Sequence, residues 1–461
     1  MARVVVVGGG MSGLSLAWFL RERRPGWEVQ VLEAADRPGG KAWTLREDGF
    51  LCEAGVNGVL DNKPSTLGLA RRLGLAPLPA DAAAKRRFVV RRGRLVPLPE
   101  SPGAFLTSPL LSPAGRLRVL LEPFVPRGDM AADESLADFA RRRLGREAFE
   151  RLIDPMATGI YAGDPERLSL KACFPRIHEL ERDHGSLIRA MIRLKREARR
   201  AGRAGPGAGP GGTLTSFAGG MGELAARVAE ALGPEVVRTG RPVAAVSPSA
   251  AGWEVAAGEE VIPADHVVLA CPAEAAARVV RRSVPELAAL ADQVPYPPVS
   301  VVCLGYRAAE LPRPLDGFGF LAPGPEGRRI LGSLWDSAIF PGRAPEGHAL
   351  LRVLVGGARD PERALLPDGP LVDVVRAELR ELMGITALPV FEKVIRWRRA
   401  IPQYEVGHLA LVRRLEEILA RHPGLYVRCN WVGGVSLNDC VANAEVLADR
   451  IAGAPGRGEG A

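Results

Sequence analysis

The residues whose types and spacing suggest chemistry gather first near the N-terminus. Gly8-Gly9-Gly10-Met11-Ser12-Gly13 has the spacing G-x-G-x-x-G, between a β-branched run at residues 4–7 and a stretch with helical apolar periodicity at residues 14–21. In that setting each glycine has a task. Gly8 permits a tight turn, Gly10 lets the backbone approach a pyrophosphate, and Gly13 lets the helix close on the strand with its first N–H groups facing the phosphates. Glu33 ends a second short strand at residues 29–32, where a carboxylate holds ribose hydroxyls and repels a 2′-phosphate. The pattern predicts dinucleotide binding; a merely structural glycine turn is the plainer alternative.

Other residue types narrow the chemistry. Cys52, Cys173, Cys271, Cys303, Cys429 and Cys440 contain no C-x-x-C pair, and the six histidines form no pair at ligand spacing, so reduced thiols and no metal site are expected. Asn438 and Asp439 stand at the start of an apolar-periodic helix expected within residues 436–451 and are expected to cap it, aiming its positive end at whatever lies before it.

The elements that must position these groups begin with a βαβ opening. From residue 97 to 126 apolar residues alternate with prolines and arginines, and residues 135–194 read as several amphipathic helices, so a helical insertion is expected. Residues 201–212, AGRAGPGAGPGG, have nothing to pack and predict a flexible loop. Beyond them a helix at 222–232 and strands near 243, 267–269, 299–304, 317–321 and 350–355 lead to the closing helix. The 461 residues, 47% hydrophobic and 25% charged with a net charge of +8, have a globular composition and length for several domains, which excludes a small binding module. Only six of the 61 basic residues are lysine, and the arginines are scattered without an aromatic-studded basic strand, so nucleic acid is not an expected partner. The most apolar uncharged run, residues 4–20, is too short and too glycine-rich for a membrane span. A strand that opens at residue 4 leaves no room for a leader, so the chain as given is expected inside the cell.

Glu33, Arg37, Gly39 and Gly40 complete an E-x-x-x-R-x-G-G stretch, and a G-F-x-x-E-x-G stretch follows at residues 49–55. This run resembles the FAD-binding N-terminus of the flavin amine oxidase, phytoene desaturase and protoporphyrinogen oxidase superfamily. Within it the chain is similar to the oxygen-dependent protoporphyrinogen oxidase family from end to end. Gly55-Val56-Asn57-Gly58-Val59-Leu60 resembles that family's G-P-N-S-F-L, Gly159-Ile160-Tyr161-Ala162-Gly163-Asp164 its G-V-Y-A-G-D, and Ser216-Phe217 with Gly219-Gly220-Met221 its S-F-x-G-G-L. Ile401-Pro402-Gln403-Tyr404 and Leu437-Asn438-Asp439-Cys440 follow in the family's order. Val56 and Cys429-Asn430-Trp431-Val432-Gly433 depart from its usual proline and G-N-x-Y-x-G.

The resemblance implies one noncovalent FAD per chain, held at Gly8, Gly10, Ser12, Gly13, Glu33, Arg37, Gly39, Gly40, Val243, Trp397, Val435, Asn438 and Asp439. Covalent attachment through Cys429 or Cys440 is the less favoured alternative, since free cysteine is usually a small buried hydrophobe. It further implies oxidation of protoporphyrinogen IX to protoporphyrin IX in haem biosynthesis, by three hydride-type steps to flavin N5 with O2 consumed and H2O2 released. No catalytic acid is obligatory. By motif position Leu321, Phe340 and Leu354 line a macrocycle slot, Gly159 allows close backbone approach, Arg87 holds a substrate propionate and Asn57 adds a neutral donor. A guanidinium offers paired donors matched to a carboxylate, although a solvated basic stretch is the plainer reading of Arg87. The alternatives are the same reaction on coproporphyrinogen III, a flavin amine oxidase or carotenoid desaturase, and an FAD-containing structural protein without turnover.

The expected architecture is α/β. It comprises a Rossmann-like FAD-binding domain from residues 1–75, 213–288 and 400–455, a mixed-sheet substrate domain from 76–100 and 289–399, a helical membrane-associating insertion at 101–200, and a disordered tail at 453–461. Peripheral attachment to the inner face of the cytoplasmic membrane is expected through Phe105, Leu106, Leu110, Leu111, Leu117, Val119, Leu120, Leu121, Phe124 and Val125, with Arg116, Arg118 and Arg127 meeting anionic headgroups. An amphipathic core helix is the plainer reading of that stretch. A homodimer is consistent with the family.

Overall fold

The computed structural model describes residues 2–200 and 211–453, so nearly all of the loop and tail expected at 201–212 and 453–461 lies outside the described residues. Arg3–Val7 is the central strand of a five-stranded parallel sheet in the order Val237–Arg238, Glu28–Leu32, Arg3–Val7, His266–Leu269, Leu425–Val427. An unbroken valine run suits that position because a parallel sheet is covered on both faces. On one face pack the helices Met11–Arg23, Met221–Leu232 and Leu437–Ile451. On the other lie a three-stranded antiparallel sheet, Val243–Ser249, Gly252–Ala257 and Glu260–Ala264, and the helices Ala273–Val280, Pro285–Ala291 and His408–Ala420.

A seven-stranded mixed sheet stands beside it, in the order Phe391–Trp397, Val299–Arg307, His348–Gly356, Gly332–Leu334, Gly319–Leu321, Arg87–Arg91, Arg94–Pro97. Side chains alternate across a strand, so the register sorts them into two faces. Phe88, Phe320, Val353 and Val302 face the long helix Asp368–Met383. The opposite face carries two rows across the sheet. One is Arg87, Gly319, Leu334, Arg352, Cys303 and Lys393; the other is Val89, Leu321, Gly332, Leu354, Val301 and Ile395. This face looks toward the hairpin Thr44–Glu47/Phe50–Glu53 and the helix Asp154–Tyr161.

Residues 102–200 form a succession of helices around Leu136, Phe139, Phe149, Tyr161 and Leu168. Fully buried Arg143 pairs with Glu122 and Glu181 and donates to the carbonyls of Val125 and Gly185, while Glu122 accepts the N–H groups of Leu187 and Ile188. That cluster fixes the turn carrying Phe124. The helix Pro113–Leu120 has no buried residue, and Leu106, Leu117, Leu120, Leu121 and Phe124 are exposed, Phe124 by 78%. Two of the ten expected surface residues are otherwise placed. Leu110 and Leu111 are buried, because the chain turns at Ser108, whose hydroxyl accepts the Leu110 N–H. Nor do Arg116 and Arg118 project freely: the first donates to the carbonyl of Leu106, the second to those of Arg142 and Arg143. No described helix is long and apolar enough to cross a membrane.

The last helix corrects one expectation about caps. Ser436, with extended backbone, is the N-cap; its hydroxyl accepts the Asp439 N–H at 3.1 Å and donates to the Asp439 carboxylate at 2.6 Å. Asn438 and Asp439 already lie within the first turn, so the reciprocal capping falls to the serine three residues before the aspartate.

Candidate active site

The phosphate turn divides its glycines between packing and access. Gly8 sits at φ +113° with the place of a Cβ only 2.9 Å from the Ala270 carbonyl oxygen, and a Cβ on Gly13 would meet the Gly8 oxygen at 2.0 Å. Around Gly10 the same construction meets nothing within 4 Å. Gly10 therefore presents bare backbone to open space, at the N-terminus of a helix. Gly39 donates to the Gly9 carbonyl at 2.7 Å, which lays residues 39–40 along the turn. Arg37 donates to the Gly40 carbonyl at 3.1 Å and lies 4.0 Å above the Trp43 ring. Glu33 accepts the N–H of Gly9 at 2.6 Å and of Ala35 at 2.8 Å, and a carboxylate so held retains lone pairs for further donors.

The C-terminal segment meets this turn from the other side. Ser12 lies beside the Cys440 thiol in the first turn of the last helix. Asn438 donates to the Leu60 carbonyl at 2.8 Å, and Asp439 pairs with Lys63. Trp397 donates to the Ala54 carbonyl at 2.7 Å and stands edge-on to Trp43. Tyr404 donates to the Asn430 carbonyl at 2.6 Å and accepts the Gly434 N–H at 3.0 Å, fixing the loop that departs from the family pattern. Two of the expected contacts have side chains turned to packing: Val243 belongs to the core with Leu32, and Val435 packs beside Tyr161.

The residues expected to line a slot fall into two neighbouring groups on one face of the seven-stranded sheet. A Cβ on Gly159 would touch the Leu321 side chain at 3.0 Å, Leu321 is paired with Gly332, and Gly332 with Leu354. Leu354 packs against the cluster of Ala162, Val299 and Ala400, on which Trp397 and Ile401 also rest. At the other end Phe340, fully buried, clusters with Phe318 and Leu334, and the Arg87 guanidinium lies 5.1 Å above the Phe318 ring. Arg87 itself is exposed and pairs with no acid among the described residues. Beneath the slot Arg352 pairs with Asp336 at 2.9 Å and donates to the carbonyls of Glu53 and Gly55. Glu53 accepts the Met221 N–H and the Thr44 hydroxyl; burial pushes its carboxyl up to about 7 against the pull of Arg352 and Arg343.

The glycine turn is thus open at Gly10, and the residues expected to line a slot share one face of the large sheet with the exposed Arg87. A profile of flavin-containing amine oxidoreductases matches residues 11–452. The chain belongs to the flavin-containing amine oxidoreductase family. It is 31% identical over 454 residues to the coproporphyrinogen III oxidase of Bacillus subtilis (strain 168), covering 95% of each chain. It is 34% identical over 476 residues to a chloroplastic protoporphyrinogen oxidase of Oryza sativa subsp. japonica, covering 98% of this chain and 88% of that one. A crystal structure from Exiguobacterium sp. 255-15, named "Putative protoporphyrinogen oxidase", superposes with a TM-score of 0.84 at 28% identity, covering 98% of both chains. The likeness read from the motifs thus extends over the whole length, and the chain is a flavin-dependent oxidoreductase.

A flavin dinucleotide fits the polar groups left without partners inside this family member. Both polar atoms of the Asn57 side chain and the oxygen of Asn438 are buried and lack a hydrogen bond, an arrangement that is rare unless something else supplies the partner. Asn57 lies in the loop just after Gly55, whose place for a Cβ is 2.4 Å from the Lys41 carbonyl. Lys41 was not among the residues singled out by the sequence, although it directly follows Gly39-Gly40. Its ammonium lies 5.7 Å from the Tyr296 ring and 5.8 Å from the Trp397 ring, beside Cys429 and Cys440. Glu53, Arg343 and Arg352 were also missed; Glu53 carries a signal in G-F-x-x-E-x-G and Arg343 in the family-like stretch at residues 340–347, whereas Arg352 carries none.

Proposed function

We propose that this enzyme binds one FAD noncovalently and uses it to oxidise protoporphyrinogen IX to protoporphyrin IX, with O2 as acceptor. The observation that carries the reading is the continuity of the slot. Gly159, Leu321 and Leu354 form apolar surface that continues over Val299 and Ala400 to Trp397, and Arg87 lies on the same sheet face at the opposite end. Protoporphyrinogen IX is a largely apolar disc with two carboxylates at one edge, and that shape matches an apolar surface ending at an exposed guanidinium with no acid partner among the described residues. Bound FAD supplies the two-electron acceptor for each of three dehydrogenations. The protein's task is then positional: the slot holds one ring carbon toward the cradle and keeps water out, while Arg87 fixes the orientation by its grip on a propionate. The positive end of the last helix, Ser436-capped, favours negative charge on a reduced ring lying before it. Noncovalent binding is supported by the thiols nearest the cradle. Burial pushes Cys429 up to about 11 and Cys440 up to about 12, so neither is a ready thiolate nucleophile.

Coproporphyrinogen III is the second reading, favoured by the B. subtilis relative, which aligns as completely as the plant enzyme. Anaerobic addition of each porphyrinogen to the purified yellow protein tests both. Bleaching of the flavin by protoporphyrinogen, with colour and H2O2 returning on admission of air, is expected. Faster bleaching by coproporphyrinogen moves the assignment to the four-carboxylate substrate, and no bleaching by either removes porphyrinogens from consideration.

A further inference from the structure

Lys41 is set apart from the chain's other lysines. Lys63 and Lys393 pair with Asp439 and Glu47, Lys171 donates to the carbonyls of Met130 and Ala131, and Lys85 and Lys195 face solvent. Lys41 points inward, and no carboxylate among the described residues pairs with it. An uncompensated ammonium in such a place is costly, and burial pushes it toward the neutral amine. The neighbouring groups do not offset that cost: Tyr296, Cys429 and Cys440 are all held protonated by burial, and Trp397 offers only its ring. An anion would offset the charge fully, and the described chain supplies none there.

Position says which part of a flavin dinucleotide that is. The phosphates belong at the glycine-lined turn of residues 8–13, where Gly10 is open. Lys41 lies beyond that turn, among aromatic rings, and one of those rings, Trp397, packs against the same Val299–Ala400 cluster as Leu354 of the proposed slot. The junction of cradle and slot is where the redox-active ring has to lie for a substrate to reach it. The two-electron-reduced ring is an anion near neutral pH, whereas the oxidised ring is neutral, so a fixed positive charge there favours the reduced form.

We propose that the Lys41 ammonium is the counter-charge of the reduced flavin ring and raises its reduction potential, a positioning of charge rather than a step in the chemistry. This rests on FAD occupying the cradle but not on the identity of the substrate. The test compares Lys41→Met, Lys41→Gln and Lys41→Arg holoproteins with the parent by flavin content, two-electron midpoint potential and sulfite affinity, sulfite being a probe that adds to the ring and leaves it anionic. The Met and Gln variants are expected to keep stoichiometric flavin, bind sulfite at least tenfold more weakly and show a potential lower by about 30 mV or more, the equivalent of tenfold for a two-electron couple. Lys41→Arg should stay within about threefold of the parent. Unchanged potential and sulfite affinity in both neutral variants overturn the proposal. Loss of flavin from both overturns it as well, since Lys41 is then an anchor for the dinucleotide. A parent that purifies without flavin instead overturns the cofactor reading, and a parent that holds flavin but ignores porphyrinogens leaves the Lys41 result intact.

Discussion

At the scale of single residues, the glycines of the phosphate turn make opposite predictions that their sequence pattern alone does not distinguish. Gly10→Leu adds a side chain where the protein has nothing within 4 Å, so the variant should fold with near-parental circular dichroism yet lose its flavin. Gly13→Ala places a carbon 2.0 Å from a carbonyl oxygen and should damage folding itself. A yellow Gly10→Leu protein would show that the cofactor does not use this turn. Arg87 gives a second case. A charge-assisted bond contributes roughly 1.5–3 kcal/mol, so Arg87→Ala should lower kcat/KM by about ten- to a hundredfold with flavin content unchanged. Arg94→Ala is the control, being exposed in the next strand; Arg92 is unsuitable because it holds a left-handed turn at φ +49°. Equal activity of the two variants to within about twofold would make Arg87 surface charge. Such residues were legible only in part. Local motifs marked Gly10 and Glu33, whereas the meaning of Lys41 depends on rings at positions 296 and 397 that no spacing along the chain reveals.

At the scale of elements, periodicity revealed the opening strand, the helices Met11–Arg23, Met221–Leu232 and Leu437–Ile451, and three of the seven strands of the large sheet, Val299–Arg307, Gly319–Leu321 and His348–Gly356. It did not reveal the three-residue strand Gly332–Leu334, which is too short to show a period and exists because its neighbours pair with it, nor the helix Asp368–Met383 that covers the sheet. The helical stretch at 102–124 shows the same limit in reverse, since a hydrophobic pattern does not say what covers it. Here the structure leaves Leu106, Leu117, Leu120, Leu121 and Phe124 uncovered, rigidly backed by the Arg143–Glu122 pair. We expect this surface to bind bilayers through apolar insertion with little help from Arg116 or Arg118. Liposome flotation should carry the protein upward even in high salt, and Leu117→Ser/Phe124→Ser should keep it in the pellet fraction; parent protein that never floats rules the attachment out. A second element-scale prediction concerns the helix His408–Ala420. His408 stacks on Tyr404 at 4.0 Å, and burial pulls its pKa down to about 4. An unfolded histidine protonates near 6.5, so on acidification the unfolded state takes up the proton first. The contribution is therefore complete above pH 6.5 and lost as pH falls to about 4, amounting to about 3 kcal/mol. His408→Phe, which preserves the stack, should flatten the fall in Tm between pH 7 and 5; an unchanged slope would place the acid sensitivity elsewhere.

At the scale of the whole molecule, the two sheets are held together by interior charge as well as by apolar contact. Arg352 belongs to the strand His348–Gly356, yet its guanidinium donates to the Glu53 and Gly55 carbonyls of the hairpin beside the flavin cradle. Its acid partner, Asp336, is fully buried, and burial raises the pKa of that carboxyl while Arg352 opposes the rise. The chain also passes repeatedly between the sheets, as at residues 54–87, 269–299 and 397–425, so neither sheet is a continuous segment able to fold first. One cooperative calorimetric transition, with flavin released in it, is the expected behaviour. Arg352→Met should move that entire transition downward, because it strands a buried carboxylate at a cost of about 3–5 kcal/mol. The penalty belongs to the orphaned charge more than to the lost bond, which gives the decisive comparison: adding Asp336→Leu to Arg352→Met should restore a large part of the lost Tm. A double variant no more stable than Arg352→Met would mean that the carbonyl bonds to the hairpin, and not the neutralised carboxylate, hold the two halves together.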